Sequence, residues 1–99
     1  MDILELIPFG QKNAISRQKL AEECGISDRQ MRRCIEELRK EKPIANFQDG
    51  QGYFRPETEW ELKVYIAQEN ARAMSILKNL TAAKRELQKV NGQLTLDEF

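Results

Sequence analysis

Residues 57–91 contain neither proline nor glycine, and Pro56 and Gly92 bracket them. Thr58 and Glu61 have the spacing of a capping box at the start of this segment. The pattern predicts one helix of roughly 30 residues, about 45 Å long at 1.5 Å per residue. Such a helix is too long to bury against the small domain that the preceding residues can form, so it needs another partner.

Apolar residues recur along the predicted helix at alternating spacings of four and three, which is the heptad pattern of a coiled coil. The seam is broken only by Glu69. We therefore expect a dimerisation helix within residues 57–92, pairing the chain with a second copy; the pattern fits parallel and antiparallel pairing alike. The expected dimerisation residues are Leu62, Ile66, Ala73, Ile76, Leu80, Ala83, Leu87 and Val90.

Residues 1–56 are predicted to form a separate domain, followed after the long helix by a tail at 93–99. Within the domain, the apolar cluster of Ile3, Leu4, Leu6 and Ile7 predicts a short helix that ends before Pro8. Ser16 is a suitable N-cap for a second helix, and Gly25 suits the left-handed residue at its end.

A third helix is predicted over residues 28–41. Ser27 and Gln30 have capping-box spacing at its start, and Pro43 prevents its continuation. Residues 44–47 and 53–55 then read as two strands around an Asp-Gly turn, which is a hairpin signal. The predicted fold class is mainly α with a small β-hairpin wing, a winged helix-turn-helix plus a long C-terminal helix.

The segment 17–35 closely resembles the helix-turn-helix signature of winged-helix DNA-binding proteins. Ala21 is small where the two helices cross, Gly25 makes the turn, Ile26 fills the corner and Met31 anchors the second helix. The order of motifs over residues 3–55 is similar to small winged-helix proteins carried by prophages of Gram-positive bacteria. The resemblance implies a DNA-binding protein, with transcription regulation as its expected role.

In that family the second helix of the motif enters the major groove with its N-terminal side chains at base edges. Arginine suits guanine and glutamine suits adenine in such contacts. Carried over by position, the candidate DNA contacts on this helix are Ser27, Asp28, Arg29, Gln30, Arg32 and Arg33. Candidate phosphate contacts are Lys12 and Arg17, and candidate wing contacts are Gln48, Gln51, Tyr53 and Arg55; a purely structural hairpin explains the wing equally well.

The chain has no net charge, with 16 basic and 16 acidic residues. The distribution is uneven, because residues 10–55 hold ten basic residues against seven acidic ones. This excess falls where the DNA-binding unit is expected.

The chain has no histidine and two cysteines, which rules out an ordinary four-ligand zinc site. We expect Cys24 and Cys34 to be free, buried packing residues, and Trp60, Tyr65 and Met74 to be packing residues as well. The sequence offers no nucleophile beside a base and no glycine-rich phosphate loop, so we expect no enzyme, no cofactor and no small-molecule ligand. No apolar run approaches the ~20 residues of a membrane span, and the start lacks the pattern of a signal peptide, so a cytoplasmic location is expected.

The sequence is compatible with two classes of function. The first is a sequence-specific DNA-binding regulator that acts on double-stranded DNA as a homodimer, and the arginines at positions 29, 32 and 33 favour it. The second is a non-enzymatic protein-interaction or replication-assembly module built on a winged helix, and the net neutrality of the chain favours it.

Overall fold

The computed structural model describes residues 2–47 and 50–91, and this part of the chain is mainly helical. The tail at 93–99 lies outside the described residues. The helices are α1 (Ile3–Leu6), α2 (Arg17–Cys24), α3 (Asp28–Leu38) and α4 (Glu59–Asn91), with a 3₁₀ turn at Gln11–Asn13. The chain divides into two units, residues 1–66 and residues 67–99. None of the helices described is both long enough and apolar enough to cross a bilayer.

The predicted helix ends are confirmed where capping residues mark them. Ser16 Oγ accepts a hydrogen bond from the Lys19 amide at 3.1 Å at the start of α2. Gly25 has a φ of 67° at the end of α2, the left-handed conformation that glycine adopts without steric cost. The capping box of α3 is complete, because Ser27 Oγ accepts from the Gln30 amide at 3.1 Å and Gln30 Oε1 accepts from the Ser27 amide at 2.9 Å.

Helix α3 ends at Leu38, so the predicted extent of 28–41 is wrong by three residues. The amide of Glu41 bonds back to the carbonyl of Leu38 at 3.0 Å, which tightens the chain into a turn. Arg39 Nε donates to the Ile44 carbonyl at 2.8 Å across this turn. The turn therefore closes around Arg39, before the proline that was expected to stop the helix.

The core of the first unit lies where α1, α2 and α3 meet the segment 44–54. Its six largest buried side chains are at most 1% exposed. They are Ile7, Leu20, Met31, Ile35, Ile44 and Phe54. Cys24 and Cys34 are free, as expected, but both are half-buried and not buried. Cys24 packs against the edge of the core.

Residues 53–55 bond to three different segments without forming a regular sheet. Tyr53 pairs with Ile15 through hydrogen bonds of 2.7 and 2.9 Å, and Phe54 pairs with Ala45 through bonds of 2.8 and 3.1 Å. The amide of Arg55 donates to the Pro8 carbonyl at 2.7 Å. These contacts are isolated bridges, so the structure does not show the predicted β-hairpin wing over the residues it describes.

The aromatic side chains around this segment are only partly packed. The Phe47 ring meets the Phe54 ring edge-on at a centroid distance of 4.8 Å, and Trp60 meets Phe47 at 6.2 Å. Trp60 nevertheless remains 62% exposed, and Met74 on α4 is 49% exposed. Trp60 therefore packs against Phe47 while most of its surface stays accessible, and about half of Met74 is accessible on the single chain.

A carboxylate joins the start of α4 to the 3₁₀ turn. The predicted capping box is present, because Thr58 Oγ1 accepts from the Glu61 amide at 3.1 Å and Glu61 Oε1 accepts from the Thr58 amide at 3.4 Å. The same carboxylate also accepts from the amides of Glu57 at 2.7 Å and Gln11 at 2.9 Å. These bonds, led by that from Glu57, lower the pKa of Glu61 although burial opposes the shift.

We expect Glu61→Gln to lower the free energy of unfolding by about 1–3 kcal/mol at pH 7, because a charged acceptor of several hydrogen bonds becomes neutral. A lowered pKa in the folded state means that the charge stabilises the fold above the ordinary glutamate pKa. This stabilisation is lost as the pH falls through the folded-state pKa, so the difference between the variant and the wild type should narrow. Urea denaturation at pH 7 and at lower pH measures both effects.

Glu59→Gln is the matched control for this prediction. Glu59 lies in the same first turn of α4, and its side chain is 82% exposed beside Lys63. The control should change stability by less than about 0.5 kcal/mol at either pH. If the two substitutions lower the free energy of unfolding equally, the hydrogen bonds of Glu61 to the Glu57 and Gln11 amides add no stability beyond that of a negative charge in the first turn of α4.

Candidate nucleic-acid interface

Helix α3 presents two arginines on the face opposite its buried stripe. Met31 and Ile35 point into the core, and Arg29 and Arg33 lie on the other side of the helix, exposed. Within residues 2–47 and 50–91, the side chain of neither arginine makes a hydrogen bond or an ion pair. Their guanidinium groups are therefore available to an anionic partner.

Arg32 and Arg17 are occupied by one carboxylate. Asp28 accepts from Arg17 Nε at 2.5 Å through Oδ1, and its Oδ2 lies 3.2 Å from Arg32 Nε. Hydrogen bonds with Tyr53 and Asp28 raise the pKa of the Arg17 guanidinium. Asp28 thus holds α2 and α3 together and neutralises part of the charge that the sequence suggested for DNA.

Other candidate contacts make bonds inside the domain. The side chains of Ser27 and Gln30 each accept a hydrogen bond from the backbone amide of the other in the capping box of α3. Arg55 Nε donates to the Ile7 carbonyl at 2.8 Å, and its guanidinium lies 4.0 Å from the centroid of the Phe9 ring. Tyr53 is only 5% exposed. The structural roles of these residues in the domain account for their presence without a contact to DNA.

The remaining predicted contacts are spread over the surface. Lys12 is exposed on the 3₁₀ turn, and Gln51 is exposed next to the bridged segment. Gln48 lies outside the described residues. Arg29 and Arg33 lie next to each other on the exposed face of α3. Arg17, Arg32 and Arg55 instead make ion pairs or hydrogen bonds within the domain.

Sequence reasoning missed the neutralising role of Asp28. The spacing of four between Asp28 and Arg32 was a usable signal, because residues at i and i+4 are neighbours on a helix surface. The bond from Arg17 had no such signal, since it depends on how α2 packs against α3.

The second unit carries the expected dimerisation seam on an exposed helix. The large seam residues are accessible over much of their surface, from 36% at Leu87 to 57% at Ile76 and 81% at Val90. Leu77 lies beside the seam and is 53% exposed. An apolar stripe of this length on a single helix leaves a surface that water solvates poorly.

No cluster of three or more metal-ligating side chains occurs in the parts of the chain that the structure describes. Comparisons with models of known families, with curated proteins and with solved structures find no match for this chain.

Proposed function

We propose that this chain is a non-enzymatic DNA-binding protein with a regulatory role, and that it acts on double-stranded DNA as a homodimer. In this proposal residues 3–55 form a winged helix-turn-helix, α3 enters the major groove, and α4 joins two copies. This organisation is the one that the resemblance to small prophage-type regulators implies.

The observation that carries the proposal is the pair Arg29 and Arg33 on the outer face of α3. The two side chains lie about one helical turn apart, beside the N-terminus of a helix whose other face is buried. Guanidinium groups bind phosphate and the guanine edge bidentately, and a helix N-terminus favours an anion. The positions of Arg29 and Arg33 are those expected of a recognition helix.

The segment order also supports a winged helix. Tyr53 is bonded to Ile15 and Phe54 to Ala45, so the 53–55 segment lies between the chain that precedes α2 and the chain that follows α3. This is the order in which a winged helix arranges its three short strands. The wing itself then contributes little to DNA contact, because Tyr53 and Arg55 bond within the domain.

A protein-interaction module is the second candidate function. Asp28 occupies Arg17 and Arg32, which removes two of the expected cationic contacts, and the whole chain has no net charge. In this alternative the domain keeps its fold, and the chain serves an assembly through the exposed seam of α4.

We expect Arg29→Ala/Arg33→Ala to weaken DNA binding at least tenfold, because each good base contact contributes about 1–3 kcal/mol. If both side chains of each copy in the proposed homodimer contact phosphates, the variant loses four contacts, and the salt slope of binding should fall by about 3.6, since each phosphate contributes about 0.9. The measurement is a mobility shift on selected duplex DNA and on mixed-sequence duplex DNA at several salt concentrations.

Lys78→Ala/Arg85→Ala is the control, since it removes the same charge from α4 at two exposed positions. Its affinity for DNA should stay within about twofold of the wild type, because the proposed contacts lie on α3 and not on α4. A folded Arg29→Ala/Arg33→Ala variant that binds DNA as well as the wild type would favour the interaction module.

A further inference from the structure

Charged residues flank the apolar seam of α4, and their order distinguishes the ways in which two copies can pair. In heptad notation the a positions are Ile66, Ala73, Leu80 and Leu87, and the d positions are Glu69, Ile76, Ala83 and Val90. On one side of the seam the g positions are Arg72, Asn79 and Glu86. Residues at e and g commonly set the orientation of a coiled coil through ion pairs.

We propose that two copies of α4 pair antiparallel, with their twofold axis near residue 78. The inference rests on the proposed self-association and adds its orientation and register. Each a residue then faces a d residue of the second copy, with Ile76 against Leu80 in the two central layers. The next layers outward pair Ala73 with Ala83, then Glu69 with Leu87 and Ile66 with Val90.

Charge complementarity favours this arrangement, because it brings Arg72 of each copy opposite Glu86 of the other. Side chains of an α-helix lean towards its own N-terminus, so in an antiparallel pair these two lean towards each other. Arg72 also lies 3.5 Å from Glu69 within its own helix. The seam glutamate therefore joins an ion-pair network on both sides of the dimer, which accounts for a charge at a d position.

Parallel pairing places the same residues unfavourably. Glu69 would face Glu69 of the second copy at a d layer, where two carboxylates repel in a partly buried site. Arg72 would flank Leu77 and Glu86 would flank Asn91, so neither would find an opposite charge across the seam. The Glu69 side chain is already only 37% exposed on the single helix.

Shifting the antiparallel pair by one heptad also loses complementarity. A shift towards the N-terminus sets Arg72 opposite Asn79 and brings Lys63 across from Lys84, a like-charged pair on each side. The register centred near residue 78 is thus favoured over this neighbour by both flanking pairs.

A charge-swap cycle on the full chain tests the proposal. Arg72→Glu and Glu86→Arg should each raise the dimer dissociation constant at least tenfold, because each creates two like-charged contacts. The double variant Arg72→Glu/Glu86→Arg should return to within about threefold of the wild type, although its contacts within each helix become worse. Lys78→Glu, on the far side of α4, is the control and should leave the dissociation constant unchanged. Sedimentation equilibrium measures all four, with helix content followed by circular dichroism.

Disulfide cross-linking tests the relative orientation of the two α4 helices independently. In a Cys24→Ala/Cys34→Ala background, a mixture of Ala73→Cys and Ala83→Cys chains should form the mixed disulfide under mild oxidation. Ala73→Cys alone should not cross-link, because antiparallel pairing separates its two copies by about 15 Å along the axis.

The outcomes separate the two proposals. A dimer in which Ala73→Cys cross-links to itself, or in which the charge swaps have no effect, overturns the antiparallel register and leaves self-association intact. A wild-type chain that sediments as a monomer overturns both.

Discussion

Gly52→Ala is expected to remove most of the stability of the first unit. Gly52 has a φ of 107°, and a Cβ added there would lie 2.1 Å from the Ile15 carbonyl oxygen and 2.7 Å from Ser16 Cα. These neighbours are backbone atoms beside the pair of hydrogen bonds between Ile15 and Tyr53. Relief of the clash requires the backbone to move, which also breaks those bonds.

The expected loss of unfolding free energy is about 3–5 kcal/mol, from overpacking of about 1–3 kcal/mol and two hydrogen bonds of about 1 kcal/mol each. Small domains are stable by only about 5 kcal/mol or a little more. Urea denaturation followed by the fluorescence of Trp60, the single tryptophan, measures the change at fixed protein concentration.

Gly25→Ala is the matched control for this substitution. Gly25 also has a positive φ, of 67°, but nothing lies within 4 Å of the added Cβ. The control should cost about 1–2 kcal/mol, the ordinary penalty of a left-handed alanine. Equal losses at both glycines would show that the close approach of Gly52 to residue 15 does not constrain the fold.

The parts of the fold that the sequence predicted are those governed by neighbours in the chain. Ser16, Ser27 and Thr58 begin helices through bonds to residues three positions ahead, so their spacing alone identifies them. The length of α4 followed in the same way from the absence of proline and glycine. The end of α3 was missed, because Arg39 turns the chain through a bond to Ile44, and no local signal marks that contact.

The candidate site was predicted less completely, since its charges depend on packing between elements. The sequence pattern predicted six polar candidate contacts at the start of α3. It did not show that Arg32 is paired with a carboxylate while Arg29 and Arg33 are not. That distinction comes from Asp28, which bonds Arg17 eleven residues earlier on α2. Arg55 was expected at the surface, and it lies over Phe9 because residues 53–55 bond to the segment after α1.

Sequence patterns also could not predict a hydrogen bond between one carboxylate and a residue far away in the chain. Glu61 was identified only as the third residue of a capping box with Thr58. Its bond to the Gln11 amide spans fifty residues and depends on where the 3₁₀ turn lies. A glutamate at this capping position carries no sequence signal of a second partner.

Leu80→Asp is expected to convert the proposed homodimer to a monomer at about 10 μM. Leu80 lies in the middle of the seam and is 46% exposed on the single helix, so pairing of two copies buries it twice. Loss of two buried leucines costs about 3–6 kcal/mol, and burial of two carboxylates opposes pairing further. The dissociation constant should therefore rise at least about 1000-fold, which corresponds to about 4 kcal/mol.

Lys78→Asp is the control, because it introduces the same residue two positions away on the opposite side of α4. It should leave the chain dimeric, since Lys78 is exposed and outside the seam. Sedimentation velocity over a concentration series distinguishes the two variants. Far-UV circular dichroism should show a loss of helix in Leu80→Asp alone, because a helix without a packing partner has little stability of its own. Leu80→Asp sedimenting as a dimer would place the self-association surface elsewhere than the seam of α4.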